Sequence, residues 1–114
     1  MTAPAFDEVI HAPNRLQICG MLAAVDAMEF SAVRDALDVS DSVLSKHLKV
    51  LQGASYVEVK KVRGGSYPRT WISLTADGRQ AVAGHLAALR RIVAMAERGE
   101  EGSEQGADFP LRSE

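Results

Sequence analysis

The sequence is poor in the features that mark many protein classes. It has a single cysteine, Cys19, so no internal disulfide framework can hold it together, which suggests a reducing compartment. It has four prolines, six aromatic residues and no apolar run near the roughly 20 residues that span a bilayer. Asp7 and Glu8 stand where a secretory leader would carry a basic region and an apolar stretch. These absences lead us to expect a cytoplasmic protein without a membrane anchor. Catalytic signatures are missing too. There is no Ser/His/Asp set, no paired carboxylates, and Gly64-Gly65 lacks the flanking residues of a phosphate or dinucleotide loop. His11, His47 and His85 are far apart and without ligand spacing, so neither a metal site nor a cofactor is expected. Cys19 fits a small buried thiol better than a redox switch.

What remains is a 114-residue chain of ordinary globular composition, 46% hydrophobic and 25% charged, long enough for one domain with a modest core. Its net charge of −2 conceals a strong partition. Residues 1–41 carry two basic and seven acidic side chains, residues 42–98 ten basic and three acidic, and residues 99–114 one basic and five acidic. A basic middle between two acidic ends is a different object from an evenly acidic protein, and it points to a polyanionic partner.

The basic middle begins with SDSVLSKHLKVL, residues 40–51. Ser40 can cap a helix start, and Leu44, Leu48 and Leu51 recur at spacings of four and three, which forms one apolar stripe. The opposite side carries Ser42, Val43, Ser45, Lys46 and Lys49, groups suited to base edges and phosphates in a DNA groove. An ordinary amphipathic helix with a solvated face accounts for these residues equally well.

The flanking segments decide between the two. Phe6, Val9 and Ile10 fall at helical spacing, and Pro13 opens a helix to about Val25 with Ile18, Leu22 and Val25 inward. Residues 28–30 suffice only for a bridge of strand, and Ser31 can cap a short helix carrying Val33, Ala36 and Leu37. Asp38 supplies a turn that tolerates positive φ, and Ser40 starts the second, basic helix: a helix-turn-helix pattern. Tyr56–Val62 and Thr70–Leu74 alternate as strands around the Gly- and Pro-rich, basic loop Arg63–Arg69, giving a hairpin with a long tip. Thr75 caps a final helix in which Val82, Leu86, Leu89, Val93 and Ala96 form a heptad-like seam, with Ala88, Ile92 and Met95 alongside. That is more apolar surface than one small domain needs from one helix, so a second copy of the chain is expected against it. Gly99 is expected to end the helix. The fold class is thus mainly α with a small β-hairpin: a winged helix-turn-helix over residues 1–98 with a long C-terminal dimerisation helix, followed by a disordered acidic tail, residues 99–114.

Leu44–Lys61 followed by Pro68–Val82 resembles the MarR/ArsR-like winged-helix transcriptional regulators, in particular the small ones without a separate effector domain; the likeness runs from about Ile10 to Ala94. The resemblance implies a recognition helix at about 41–53 in the major groove and a wing at about 62–70 on the backbone or in the minor groove. Ser42, Val43, Ser45, Lys46, Lys49, Lys60, Lys61, Arg63 and Arg69 would then contact double-stranded DNA. It further implies a homodimer joined through its terminal helices, at Phe6, Val9, Ile10, Val82, Leu86, Leu89, Val93 and Ala96, with room for an unidentified small-molecule effector between them. Repression is the expected mode. Two positions depart from the family pattern: Ser55 replaces a Gly at the helix exit, where positive φ is wanted, and Ala76 replaces a Pro after the Thr cap. The competing reading is a winged helix used as a protein-interaction module, which predicts a neutral or acidic recognition face.

Overall fold

The computed structural model describes residues 2–105, as five helices and three strands. Asp7 caps α1 (Glu8–His11) by accepting from the Ile10 N–H at 3.2 Å. Pro13 stands at the first position of α2 (Pro13–Ala23), where its missing N–H goes unused. Val25, expected on the core face of this helix, is exposed instead, because α2 ends two residues earlier. The carbonyls of Ala23 and Val25 are taken by the Arg79 guanidinium, at 3.4 and 2.8 Å, so a cation from the far end of the chain closes this helix.

Strand β1 (Met28–Glu29) passes directly into α3 (Phe30–Leu37). The expected cap at Ser31 is not used: Glu29 holds the last extended conformation, φ −68° and ψ 145°, and Phe30 is already helical. Asp38 then takes the left-handed conformation, φ 57° and ψ 51°, the turn predicted for it. Helix α4 (Asp41–Gly53) follows, and the Ser40 hydroxyl accepts from the Val43 N–H at 3.2 Å. Arg34 of α3 reaches both Asp35 and Asp41, at 2.9 and 3.0 Å, so an exposed, solvent-screened ion pair links the two helices of the helix-turn-helix.

The sheet has the order β1-β3-β2, all antiparallel. Strands β2 (Val57–Val62) and β3 (Arg69–Leu74) form the expected hairpin, in a register that sets Val57 against Leu74 and Val59 against Ile72. β1 adds a third strand by pairing Met28 with Ile72. The core gathers Ile10, Ile18, Cys19, Leu22, Val33, Leu44, Leu48, Leu51, Val57, Ile72, Leu74 and Val82. Every helix except α5 thus turns a face onto the same centre as the hairpin, and α5 joins them through Val82.

Helix α5 runs Ala76–Gln105. The Thr75 hydroxyl does two jobs at its start, accepting from the Gly78 N–H at 2.8 Å and donating to the Ser55 carbonyl at 2.7 Å. The helix passes through Gly99 rather than stopping there. One glycine in an exposed helix costs about 1 kcal/mol relative to alanine, too little to end a helix this long. The segment expected to be a disordered tail therefore begins inside the helix, and residues 106–114 lie outside the described residues. Ile10 and Val82, expected at a subunit interface, are 0% and 2% exposed within one chain. They belong to the subunit's own core. Phe6, Val93, Ile92 and Met95 remain exposed, Val93 by 55%.

Candidate nucleic-acid interface

Helix α4 buries Leu44, Leu48 and Leu51 and turns Ser42, Val43, Ser45, Lys46 and Lys49 to solvent. The split follows from 100° per residue: three leucines at spacings of four and three occupy one side and leave the rest of the circumference free. Ser42 is steadied by a 3.2 Å contact between its hydroxyl and that of Ser40.

One edge of this helix, Ser45, Lys49 and Gln52, faces the sheet across a groove of about 410 Å³ that is also lined by Phe30, Asp41, Leu48, Val59, Lys61 and Thr70. Lys61 and Thr70 are register partners, so the strand alternation places both on the α4 side of the hairpin. Lys60 pairs with Trp71 and points to the other side of the sheet. It borders a separate depression with Ser55, Glu58 and Thr75, so the structure brings Lys61 but not Lys60 to the groove beside α4.

The wing loop spans residues 63–68, because Arg69 is already the first residue of β3. Gly65, with φ 73°, makes the turn that a side chain would strain. The sequence places Arg69 with Arg63 in the wing loop, but the last register pair of the hairpin is Val62 with Arg69. Arg69 therefore stands at the base, 3.8 Å from Glu29 and 5.9 Å from the Tyr67 ring centre. Part of its charge is thereby answered within the chain, which leaves Arg63 as the one loop guanidinium with no ion pair among the described residues.

Two clusters that the sequence did not single out flank this face. At the far edge of α4, His47 sits between Asn14 and Arg15 of α2, its Nε2 3.3 Å from Asn14 Nδ2 and its Nδ1 3.4 Å from Arg15 Nη1. Burial, Arg15 and Lys46 together push its pKa below the usual range for histidine. Behind the core, His85 is 0% exposed. Its Nδ1 accepts from the Asp7 N–H at 2.9 Å, so Nε2 carries the proton and donates to His11 Nδ1 at 3.1 Å. The Asp7 carboxylate accepts from the Tyr56 hydroxyl, which raises the tyrosine pKa to about 12. Burial, and then the nearby Asp7 charge, lift the Cys19 thiol to about 11, so it is held as an inert thiol at neutral pH. Histidines 74 residues apart have no local spacing to betray them.

Among the described residues no group of three or more His, Cys, Asp or Glu side chains could hold a metal ion, and no helix is long and apolar enough to cross a membrane.

The family model for the winged helix DNA-binding domain matches residues 14–93, a span that takes in α2, the helix-turn-helix, the wing and most of α5. The uncharacterized protein MJ0432 of Methanocaldococcus jannaschii is 30% identical over 74 residues, which cover 65% of this chain and 80% of that protein. A transcriptional regulator homologue from Pyrococcus horikoshii OT3 superposes with a TM-score of 0.75 at 26% identity, covering 79% of this chain and 89% of that one. ZitR of Lactococcus lactis, a zinc-responsive MarR family member, shares the fold with a TM-score of 0.58 at 20% identity, covering 90% of this chain and 74% of that one.

Proposed function

The chain belongs to the winged helix DNA-binding domain family, with a MarR-like fold, and from that premise we propose that it is a dimeric, sequence-specific transcriptional repressor of the cytoplasm. One observation carries the reading: the exposed side of α4 is made of hydroxyl, methyl and ammonium groups, and a basic hairpin stands along one of its edges. In this mechanism Ser42, Val43 and Ser45 read base edges in the major groove, with Val43 able to meet a thymine methyl. Lys46, Lys49 and Lys61 neutralise phosphates beside them, and Arg63, the first residue of the wing loop, lies on the backbone or enters the flanking minor groove. Lys60 and Arg69, which face away or are paired, add long-range attraction.

The second copy would meet the exposed Phe6, Ile92, Val93 and Met95 and the half-buried Leu89, with Val9, Leu86 and Ala96 at the margins. Apolar side chains protruding from a long helix in one patch are the usual mark of an association surface. Two recognition helices would then address half-sites about one helical turn, roughly 34 Å, apart. A small-molecule effector has a candidate place in the cavity of about 630 Å³ between the N-terminal segment, the end of α2 and α5, lined by Pro4, Ala23, Arg79, Leu86 and Arg90 among others. Catalysis is no part of this reading.

The test is the double variant Lys46→Ala, Lys49→Ala, titrated against duplex DNA at two salt concentrations. Loss of two phosphate contacts should weaken binding and flatten the slope of log K against log salt by up to about 1.8. An unchanged affinity and slope would remove α4 from the interface and favour the protein-interaction reading.

A further inference from the structure

Helix α4 has two long edges, and the wing accounts for one. Ser45, Lys49 and Gln52 border the hairpin groove. The opposite edge is Val43, His47 and Val50, at spacings of four and three, with both valines exposed. A major groove is bordered by a phosphate backbone on each side, so a helix lying in it presents both edges to phosphates.

What stands along this second edge is the start of α2. Arg15 is fixed there by a 2.6 Å hydrogen bond from its Nε to the Val9 carbonyl, and its Nη1 lies against His47. Asn14 approaches the other imidazole nitrogen. Ala12 offers no side-chain cap, and Pro13 has no N–H, so the N–H groups of Asn14 and Arg15 open the first turn without a side-chain acceptor. Among the described residues no carboxylate lies within 4 Å of Arg15 or His47. The cluster is therefore a set of fixed donors and one uncompensated cation, with Lys46 beside it on α4. It is short of an anion.

We propose that Asn14, Arg15 and His47, with the open first turn of α2, form a phosphate-binding site on the edge of α4 opposite the wing, occupied by the DNA strand that the wing does not touch. The site rests on the DNA-binding reading above and adds the contact on the second strand. It also couples binding to protonation. The charged groups acting on His47 are Arg15 from α2 and Lys46 from its own helix, both cationic. The other elements packed on α4 carry Glu8 and His11 in α1, and Glu58, Lys60 and Lys61 in β2, none of them a carboxylate within 4 Å of the imidazole. A bound phosphate reverses the sign of this surrounding charge and favours the imidazolium, so the complex takes up a proton at His47.

The experiment is a fluorescence-anisotropy titration of the full chain with a labelled random-sequence duplex, between pH 5.5 and 8.0 at fixed ionic strength. Wild-type affinity should rise as pH falls, by about tenfold if His47 gains one pKa unit on binding. His47→Gln should bind with a flat profile. Asn14→Asp places a carboxylate in the first turn of α2, where it favours the helix and competes with phosphate in the same site. It should bind DNA about tenfold more weakly, and with a smaller salt slope, while melting no earlier than wild type. A His47→Gln variant that keeps the wild-type pH profile, or an Asn14→Asp variant that keeps wild-type affinity, overturns the site and leaves the DNA-binding reading standing. A wild-type chain that binds no duplex at any salt overturns both.

Discussion

Replacing Gly78 by alanine tests how α5 is joined to the rest of the domain, because the expected sign is opposite to the usual one. Alanine for glycine inside a helix ordinarily stabilises by about 1 kcal/mol. At Gly78 an added Cβ would stand 2.9 Å from the Tyr56 carbonyl carbon and 3.1 Å from its Cα, and closer still to the carbonyl oxygen. Carbon atoms pack without repulsion at about 3.5–4.0 Å, so α5 must withdraw from the start of β2 by roughly half an ångström or more. Backbone cannot swing aside as a side chain would. The same withdrawal stretches the hydrogen bond from the Thr75 N–H to the Tyr56 carbonyl, 3.0 Å, and that from the Thr75 hydroxyl to the Ser55 carbonyl, 2.7 Å. Overpacking costs about 1–3 kcal/mol and each weakened bond up to about 1 kcal/mol, so Gly78→Ala should destabilise by roughly 2–4 kcal/mol. For a domain of this size that lowers Tm by about 10 °C or more. Urea unfolding followed through Trp71, the single tryptophan, reads the effect directly. Gly20→Ala in α2 is the internal control, since its Cβ would meet nothing within 4 Å, and it should gain about 0.5–1 kcal/mol. If Gly78→Ala proved as stable as wild type, the close approach of α5 to Tyr56 would be refuted.

Three further outcomes follow from particular residues. Burial, and secondarily His11, hold the His85 pKa below its ordinary value, with Asp7 opposing. The unfolded chain protonates this histidine near pH 6.5 while the folded chain resists, so stability should fall as pH drops below about 6.5 and level off at the folded-state value; urea midpoints that do not differ between pH 7.5 and 5.5 would contradict this. Ser55 has φ 66°, a conformation that costs a non-glycine residue about 1–2 kcal/mol, so Ser55→Gly should raise the unfolding free energy by roughly 0.5–1 kcal/mol in the same urea assay. Val93→Glu, at a side chain already 55% exposed, should leave the monomer's melting intact but turn a dimer into a monomer by light scattering; an unchanged mass would place the subunit contact elsewhere.

The parts of the fold that were legible are those whose signals are local. Ser40 and Thr75 cap the helices they precede, Leu44, Leu48 and Leu51 are buried as their spacing implies, and the residues at Asp38 and Ser55 take the positive φ expected of them. What was missed depends on contacts between distant segments. Val25 continues the apolar spacing of α2, yet the helix stops at Ala23, where the Arg79 guanidinium closes it. Ile10 and Val82 look like seam residues because spacing gives a stripe but not its partner, and here the partner is the chain's own core. Lys60 and Lys61 are neighbours in sequence and opposites in space, because side chains alternate along a strand, so a run of basic residues there does not by itself make one surface. The edges of α4 were invisible for the same reason, since neither Asn14 nor Arg15 lies near His47 in the sequence.

The joint at Tyr56 connects the two surfaces on which the proposed function depends. The exit of α4 runs through Ala54 and Ser55 to Tyr56, whose carbonyl takes the Thr75 N–H and whose hydroxyl reaches Asp7. Asp7 in turn ties to His85, and the Ala5 N–H donates to the Gly84 carbonyl at 2.9 Å, so the N-terminal segment is strapped along α5 from the other side. In a dimer assembled on α5, the distance between two recognition helices is set by the angle at which each α4 leaves its own α5. That angle is held at Ser55, Tyr56 and Gly78 by backbone hydrogen bonds and by a contact with no room for a methyl group. A joint built from backbone is stiff, and a half-site spacing of about 34 Å tolerates little error because each base pair along the duplex adds about 3.4 Å. Gly78→Ala should therefore reduce DNA affinity by more than its loss of stability explains under conditions where the variant is fully folded, whereas Gly20→Ala should leave affinity unchanged. Equal affinity in the two variants would place the control of spacing outside this joint.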